Sequence, residues 1–130
     1  MSQENVEVVL RVITAINQRD AEAALSGLSE DAEYVDHRPS SREEFRGHDA
    51  FRTHFSHIWD SAPDVHITPD VATHPRDIVV VRQTVSATDA SGHTTTSVRW
   101  VTRTVREGLI HRVEVFASRA DALEAAGLEE

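Results

Sequence analysis

The stretch Ala32-Glu33-Tyr34-Val35-Asp36 is a predicted strand that directly follows a predicted pair of helices. Side chains alternate between the two faces of a strand, so Tyr34 and Asp36 lie on the same face. If that face lines a cavity, a carboxylate lies beside an aromatic ring in a dry place, where burial tunes it as a proton acceptor. The alternative is an ordinary solvated aspartate near a strand end.

The residues on both sides of this strand predict three helices. Apolar residues recur at spacings of three and four over residues 5–19, the stripe of an amphipathic helix. Asp20 is the predicted N-cap of a second, short helix, with Glu22 in its first turn. A third helix is predicted at about residues 49–61, after a loop that ends at His48. Its inward stripe is Phe51, Phe55, Ile58 and Trp59, with His54 on the edge of the same face.

The second half of the chain changes to runs of β-branched residues, which are typical of strands. The predicted strands are residues 65–73, 78–88, 93–105 and 109–117. Residues 89–92 and 106–108 are predicted hairpin loops, so consecutive strands should pair as an antiparallel meander. A closing helix over residues 118–126 is predicted to begin at the N-cap Ser118 and to stop at Gly127.

These elements predict an α+β fold in which a strongly curved antiparallel sheet wraps the three N-terminal helices. A sheet of such long strands twists and curls, so a cone-shaped cavity is expected between the sheet and the helices. We expect a ligand pocket in that cavity.

Composition narrows the function classes. A chain of 130 residues predicts one domain over residues 1–130. The net charge of −9 argues against nucleic acid as a partner, because binding a phosphate backbone needs clustered cations. The chain contains neither cysteine nor lysine, which excludes disulfides, thiol nucleophiles and lysine Schiff bases. With no predicted membrane span and no basic leader, we expect a soluble, cytoplasmic protein.

A metal site is a further hypothesis, because the chain has eight histidines and His54 and His57 lie three residues apart on the predicted third helix. We reject it because no third ligand or HExxH motif accompanies the pair, and His57 is expected to face solvent. The five glycines are scattered and form no phosphate-binding loop. We therefore expect neither a metal nor a cofactor.

Short sequence motifs occur in a specific order along nearly the whole chain. They are ENVEVV at residues 4–9, NQRD at 17–20, DAEYVD at 31–36, FRGHDA at 45–50 and REGLIHRVEV at 106–115. Together they resemble the SnoaL-like branch of the nuclear-transport-factor-like superfamily, which includes ketosteroid isomerase, polyketide cyclases and limonene-epoxide hydrolase. The resemblance implies a cystatin-like α+β barrel that holds a small molecule. It also implies a homodimer, for which the outer sheet face with Arg112, Glu114 and Phe116 is the expected contact.

The resemblance to ketosteroid isomerase extends to one of its functional positions. The isomerase has its proton-shuttling aspartate at the end of the first strand, where Asp36 lies. Its two oxyanion donors match Val12 and either Trp100 or Arg99, of which only one can face inward. Losing one such donor costs about 2.7–4 kcal/mol of transition-state stabilisation, so efficient steroid isomerisation is not expected.

The resemblance to the epoxide hydrolase suggests a second arrangement, in which an arginine between two carboxylates holds a water molecule. In this chain the candidates are Arg103 and Arg112 for the arginine and Asp36 and Glu114 for the carboxylates.

We therefore predict a small-molecule enzyme in which Asp36 is the general base and His54 or His111 is an auxiliary donor. His111 alternates with Val113, so it is expected to point inward. The reaction that suits one carboxylate in an apolar cone is proton abstraction next to a carbonyl group, of isomerase or cyclase type. The predicted substrate-binding residues are Tyr34, Phe55, Trp59, Trp100 and Val113. The alternatives are a non-catalytic binding module for an apolar metabolite and a dimeric protein-interaction domain.

Overall fold

A computed structural model of the chain describes residues 2–128 and confirms the predicted α+β fold. The helices are α1 (Ser2–Asn17), α2 (Ala21–Ser26), α3 (His48–Ser61) and α4 (Arg119–Ala125). The strands are β1 (Leu28–Asp36), β2 (Glu44–Arg46), β3 (His66–Thr73), β4 (Ile78–Thr88), β5 (Thr94–Arg106) and β6 (Leu109–Phe116). Among these elements only β2 was not predicted, because three residues are too few to show a period.

The strands form one curved, unclosed sheet in the order β2-β1-β6-β5-β4-β3. Strands β3 to β6 pair with their sequence neighbours and are antiparallel, as predicted. Strand β1 pairs in parallel with β6, and β2 adds an antiparallel edge strand to β1. The pairing of β1 with β6 joins distant parts of the chain, so hairpin order did not predict it.

Polar side chains cap α2 and α4 where the sequence predicts caps. The Asp20 carboxylate accepts a hydrogen bond of 3.0 Å from the Ala23 backbone N–H. The Ser118 hydroxyl accepts one of 3.2 Å from the Asp121 backbone N–H. Each contact satisfies a backbone donor that has no partner within its helix.

Helices cover the inner face of the sheet and part of its outer face. The inner face packs against α1 and α3 and holds the larger apolar core, which includes Val9, Ile13 and Phe51. On the outer face, Val80 and Phe116 pack with Leu123 of α4 in a smaller cluster. The cavity described below lies on the inner face.

Two glycines position the helices against β1. At Gly27 an added Cβ atom would lie 2.4 Å from Cγ2 of Val12, so α1 packs directly against the backbone that leads into β1. Gly47 precedes α3 with φ of +94°, a conformation that favours glycine. Its backbone N–H donates to the Ala32 carbonyl oxygen at 2.9 Å, which fixes the start of α3 beside β1.

Candidate functional site

A partly enclosed cavity of about 80 Å³ lies between the helices and the inner face of the sheet. Most of its walls are aliphatic or aromatic. The helices contribute Val12, Ile16, Phe51, His54, Phe55 and Ile58, and the strands contribute Tyr34, Ile67, Gln83, Arg99, Val101, Arg103, Val113 and Val115, with Leu28 at the start of β1. The predicted binding residues Tyr34, Phe55 and Val113 are thus brought together.

The strand register places the polar residues of the sheet at defined positions in this cavity. Residues paired across neighbouring strands share a face, and rows that face inward alternate with rows that face outward. Arg103 pairs with Val113, which pairs in turn with Tyr34. Arg99 lies four residues before Arg103 on β5 and pairs with Gln83. The inner face of β5 therefore carries two guanidinium groups, separated by Val101.

Tyr34 forms the centre of the aromatic wall. Its ring stacks on Phe45, with 4.6 Å between centroids, and lies 4.7 Å from the His54 ring. Burial raises the pKa of Tyr34 to about 12, so the phenol stays protonated and can donate a hydrogen bond.

His54 lies in the cavity wall with 15% of its side chain exposed. Burial lowers the pKa of His54, and the opposing effect of the nearby Glu43 carboxylate is smaller. Nδ1 of the imidazole lies 3.3 Å from Oε1 of Glu43. His54 is therefore neutral at pH 7 and has a ring nitrogen free to accept a proton. His57 is exposed on the same helix, as predicted.

Arg99 and Arg103 bring positive charge into the apolar cavity. Burial lowers the pKa of both, that of Arg103 to about 10, so both remain protonated at pH 7. Nε of Arg99, Nη1 of Arg103 and Oε1 of Gln83 are buried and lack a hydrogen-bond partner within residues 2–128. Residues that line the cavity thus hold buried donors and a buried acceptor without a partner in the described part of the chain.

Asp36 is buried, with 3% of its surface exposed, but it is not part of the cavity wall. Its Oδ2 accepts a hydrogen bond of 2.6 Å from Nη2 of Arg38, and its Oδ1 accepts bonds of 3.0 Å from Nε and from the backbone N–H of the same residue. Burial by itself raises the pKa of Asp36, but the combined effect of Arg38 is larger and the pKa is lowered. The sequence correctly places Asp36 on the face of Tyr34, but it does not predict this ion pair.

Trp100 does not line the cavity, because the inner positions of β5 belong to Arg99, Val101 and Arg103. The alternation of the strand places Trp100 on the outer face, where it packs against the α4 cluster and lies 5.7 Å below the Arg119 guanidinium. Its prediction as a cavity wall is wrong. Of the two residues that matched an oxyanion donor, Arg99 is the one that faces inward.

Trp59 also lies outside the cavity wall. It is half-buried, and its ring stacks on that of Phe55 with 5.7 Å between centroids. Trp59 therefore contacts a residue of the cavity wall without lining the cavity itself. Its indole Nε1 is buried without a hydrogen-bond partner in the described part of the chain.

His111 is displaced from the cavity by an irregularity of β6. Thr104 pairs with Arg112, whereas the next residue, Val105, pairs with Ile110, so His111 is an extra residue opposite no partner. Such a bulge reverses the alternation of the strand. Ile110 is fully buried in the inner core, and His111 is not a lining residue. The expectation that His111 points inward with Val113 is therefore wrong.

The residues that matched the epoxide hydrolase arrangement do not converge. Arg112 lies on the outer face, where it pairs with Glu33 at 3.3 Å and with Glu114 at 3.2 Å. Arg103 lies in the cavity, and no ion pair joins it to a carboxylate in the described structure.

Residues 2–128 contain no cluster of three or more histidine, aspartate or glutamate side chains placed to hold a metal ion. Within the same residues, no helix has the length and apolar character to cross a membrane.

A sequence profile of the SnoaL-like domain matches residues 9–113. The chain belongs to the SnoaL-like domain family. The matched residues run from α1 into β6 and include the polar groups of the cavity, from Tyr34 and His54 to Gln83, Arg99 and Arg103.

Solved structures share the fold of this SnoaL-like domain over most of their length. TerC, co-crystallised with polyporic acid, is 25% identical, with a TM-score of 0.79 over 93% of this chain and 96% of that protein. A putative polyketide cyclase from Xanthomonas campestris is 22% identical, with a TM-score of 0.79 over 90% and 92% of the two chains. A hypothetical protein with a ketosteroid isomerase-like fold from Catenulispora acidiphila, in complex with trimethylamine, is 18% identical, with a TM-score of 0.77 over 94% of this chain and 93% of that protein. No curated protein sequence matches the chain.

The sequence did not predict two features of the site in this SnoaL-like domain. One is Gln83, which looks like an ordinary polar residue in a strand. The other is the Glu43 contact to His54, which depends on β2 and its approach to α3. A usable signal for the arginines was present, since Arg99, Val101 and Arg103 alternate on one face of a long strand.

Proposed function

We propose that this domain catalyses proton transfer next to the carbonyl group of a compact, apolar, ketone-like molecule, in an isomerase- or cyclase-type reaction. The observation that carries the proposal is that neutral His54 and cationic Arg99 line the same apolar cavity. The family supports it, since similar folds include putative polyketide cyclases and a protein co-crystallised with an organic acid.

In the proposed reaction His54 is the general base. With Nδ1 donating to Glu43, Nε2 is the nitrogen that accepts the proton from the carbon next to the carbonyl group. The electron pair of the broken C–H bond moves to the carbonyl oxygen and gives an enolate. The Glu43 carboxylate stabilises the imidazolium that forms.

The enolate oxygen carries the developing charge, and Arg99 is the donor placed to stabilise it. A fixed cation in a dry cavity stabilises such charge more strongly than water does. Return of the proton from His54 to another carbon completes an isomerisation. Alternatively, the enolate carbon attacks a second carbonyl group and the proton passes to the new alkoxide, which completes an aldol-type cyclisation.

Asp36 is the rival base, because it was the residue that the resemblance to ketosteroid isomerase indicated. In the proposed mechanism it is not the base, because Arg38 occupies its carboxylate and lowers its pKa. A carboxylate with a lowered pKa is a weaker base.

Deuterium incorporation from D₂O next to the carbonyl group of phenylacetone and 2-tetralone, followed by NMR, tests the proposal. We expect His54→Gln to lower the enzymatic rate by about 10²–10⁴-fold and Arg99→Met by about 10²–10³-fold. His57→Gln is the matched control, because His57 is exposed on the same helix, and it should keep the wild-type rate. A His54→Gln protein as active as the wild type would refute the role of His54.

The second candidate is a binding module without catalysis. It is favoured by the ion pair between Asp36 and Arg38, because that pair occupies the carboxylate at the position of the proton-shuttling aspartate in ketosteroid isomerase. In that case ligands raise the unfolding temperature of wild type and His54→Gln alike, and neither protein exchanges the protons.

A further inference from the structure

Arg103 is a buried cation with apolar neighbours. It is 6% exposed, and the residues paired with it on the two adjacent strands are Val79 and Val113. No hydrogen bond or ion pair links it to another side chain in the part of the chain that the structure describes. Its environment differs from that of Arg38 and Arg112, which each pair with a carboxylate.

The charged and titratable groups around the cavity leave Arg103 without a counter-ion. Tyr34, on β1 beyond the intervening strand β6, is protonated because burial raises its pKa to about 12. His54 is neutral and Arg99 is itself a cation. Asp36 is held by Arg38 outside the cavity wall. Burying an unpaired charge is costly, so buried charges in proteins are normally paired.

Gln83 is a second unsatisfied group in the same cavity. It is 4% exposed, it lines the cavity, and its Oε1 accepts no hydrogen bond within residues 2–128. A buried amide oxygen without a donor is also unfavourable. Within residues 2–128, therefore, no carboxylate pairs with Arg103 and no donor reaches Oε1 of Gln83.

We propose that Arg103 forms an anion subsite and that the substrate is an organic acid, with an apolar body, an anionic oxygen group bound by Arg103 and an O–H or N–H group that donates to Gln83. This deepens the proposed function by naming the substrate class of the same site. Arg99 and Arg103 are four residues apart on β5, about 13 Å between Cα atoms, so the acidic group binds away from the reacting carbonyl.

Equilibrium binding of unreactive acids tests this subsite. The probes are benzoate and 2-naphthoate, each compared with its neutral amide by calorimetry and NMR titration at pH 7. We expect the acids to bind wild type at least tenfold more tightly than the amides. Arg103→Met should abolish this preference, Arg103→Lys should keep part of it, and Arg82→Met should keep all of it. Arg82 is the matched control, since it is exposed on the opposite face of neighbouring strand β4.

If Arg103 had only a structural role, Arg103→Met would unfold at a lower temperature than wild type. The anion subsite predicts otherwise. Because Arg103 has no partner to lose, Arg103→Met without ligand should unfold at the wild-type temperature or above it. If that variant fails to fold, the acid-to-amide ratios of wild type and Arg103→Lys decide the question.

Equal affinity for acid and amide in wild type, no binding of either acid, or unchanged acid binding in Arg103→Met would overturn the subsite. The result is separate from the proposed catalysis. Acid binding through Arg103 without proton exchange contradicts the proposed reaction alone, and exchange without acid preference contradicts the subsite alone.

Discussion

Asp36 is buried and His54 is mostly buried, and their surroundings leave the first charged and the second neutral. Arg38 supplies two side-chain nitrogens and a backbone N–H to Asp36, which outweigh the cost of burying the carboxylate. The one contact of His54 with Glu43, at 3.3 Å, does not outweigh its burial. The carboxylate therefore stays charged, while the imidazole stays neutral and basic. This contrast is why we propose His54 as the base.

Replacing Asp36 by asparagine should lower the free energy of unfolding at pH 7 by about 1–3 kcal/mol, because Arg38 loses its buried ionic partner. The folded-state pKa of Asp36 lies below its ordinary value of 3.8. Its contribution is therefore complete above pH 3.8 and is lost as the pH falls through the folded-state pKa. Urea unfolding of both proteins at pH 7 and pH 3 measures this difference. A difference that does not shrink at the lower pH would contradict the ion-pair explanation.

At the scale of elements, the periodicity of the sequence predicts most of the fold, and long-range pairing accounts for the rest. Strand β4 has the predicted bounds, Ile78–Thr88, because its pattern is local. The first part of β5 carries no signal for its inward face, since residues 94–98 are exposed on both faces, and the alternation of Arg99, Val101 and Arg103 begins only after them. The bulge at His111 was hidden for a similar reason, because it is visible only against the partner strand.

The bulge gives a direct prediction for His111. Since the residue does not line the cavity, His111→Gln should change the rate of deuterium incorporation into 2-tetralone by less than about twofold. His54→Gln, measured in parallel, gives the scale of a cavity histidine. A loss in His111→Gln comparable to that in His54→Gln would mean that His111 reaches the substrate.

The close approach of Gly27 to α1 gives a second prediction at this scale. Gly27→Ala should lower the free energy of unfolding by about 1–3 kcal/mol, because the new Cβ atom would lie 2.4 Å from Cγ2 of Val12. In a Val12→Ala protein, Gly27→Ala should lower the free energy of unfolding by less. Urea unfolding of the two single variants and the double variant measures this difference. Equal costs in the two backgrounds would rule out this contact as the cause.

At the scale of the whole molecule, the charge inside the cavity is opposite in sign to the net charge of the chain. The chain carries a net charge of −9, yet the charged groups that line the cavity are Arg99 and Arg103. The net charge argues against nucleic acid as a partner, which stays a prediction, and it carries no information about the two arginines that line the cavity. That information lies in the register of β4, β5 and β6.

The homodimer implied by the family resemblance remains a prediction. Helix α4 covers Trp100 and Phe116, so a sheet-to-sheet contact is left with the part of the outer face around Val98, which is 43% exposed. Sedimentation equilibrium should give twice the chain mass of 14.5 kDa, and Val98→Asp should shift the protein toward monomer. A wild-type mass of one chain would show that the outer face does not form a dimer.

The most direct test of the proposed reaction compares the pH dependence of its rate with the pKa of His54. The pH dependence of kcat/KM for proton exchange with 2-tetralone is measured between pH 3.5 and 8, and the His54 ring is titrated by NMR in the ligand-free protein. If His54 is the base, the rate rises with pH and its midpoint coincides with the His54 pKa, below the ordinary value of 6.5. A rate that does not change across the titration of His54, as a base that is already deprotonated there would give, contradicts the proposed reaction; Asp36, with a pKa below 3.8, is such a base.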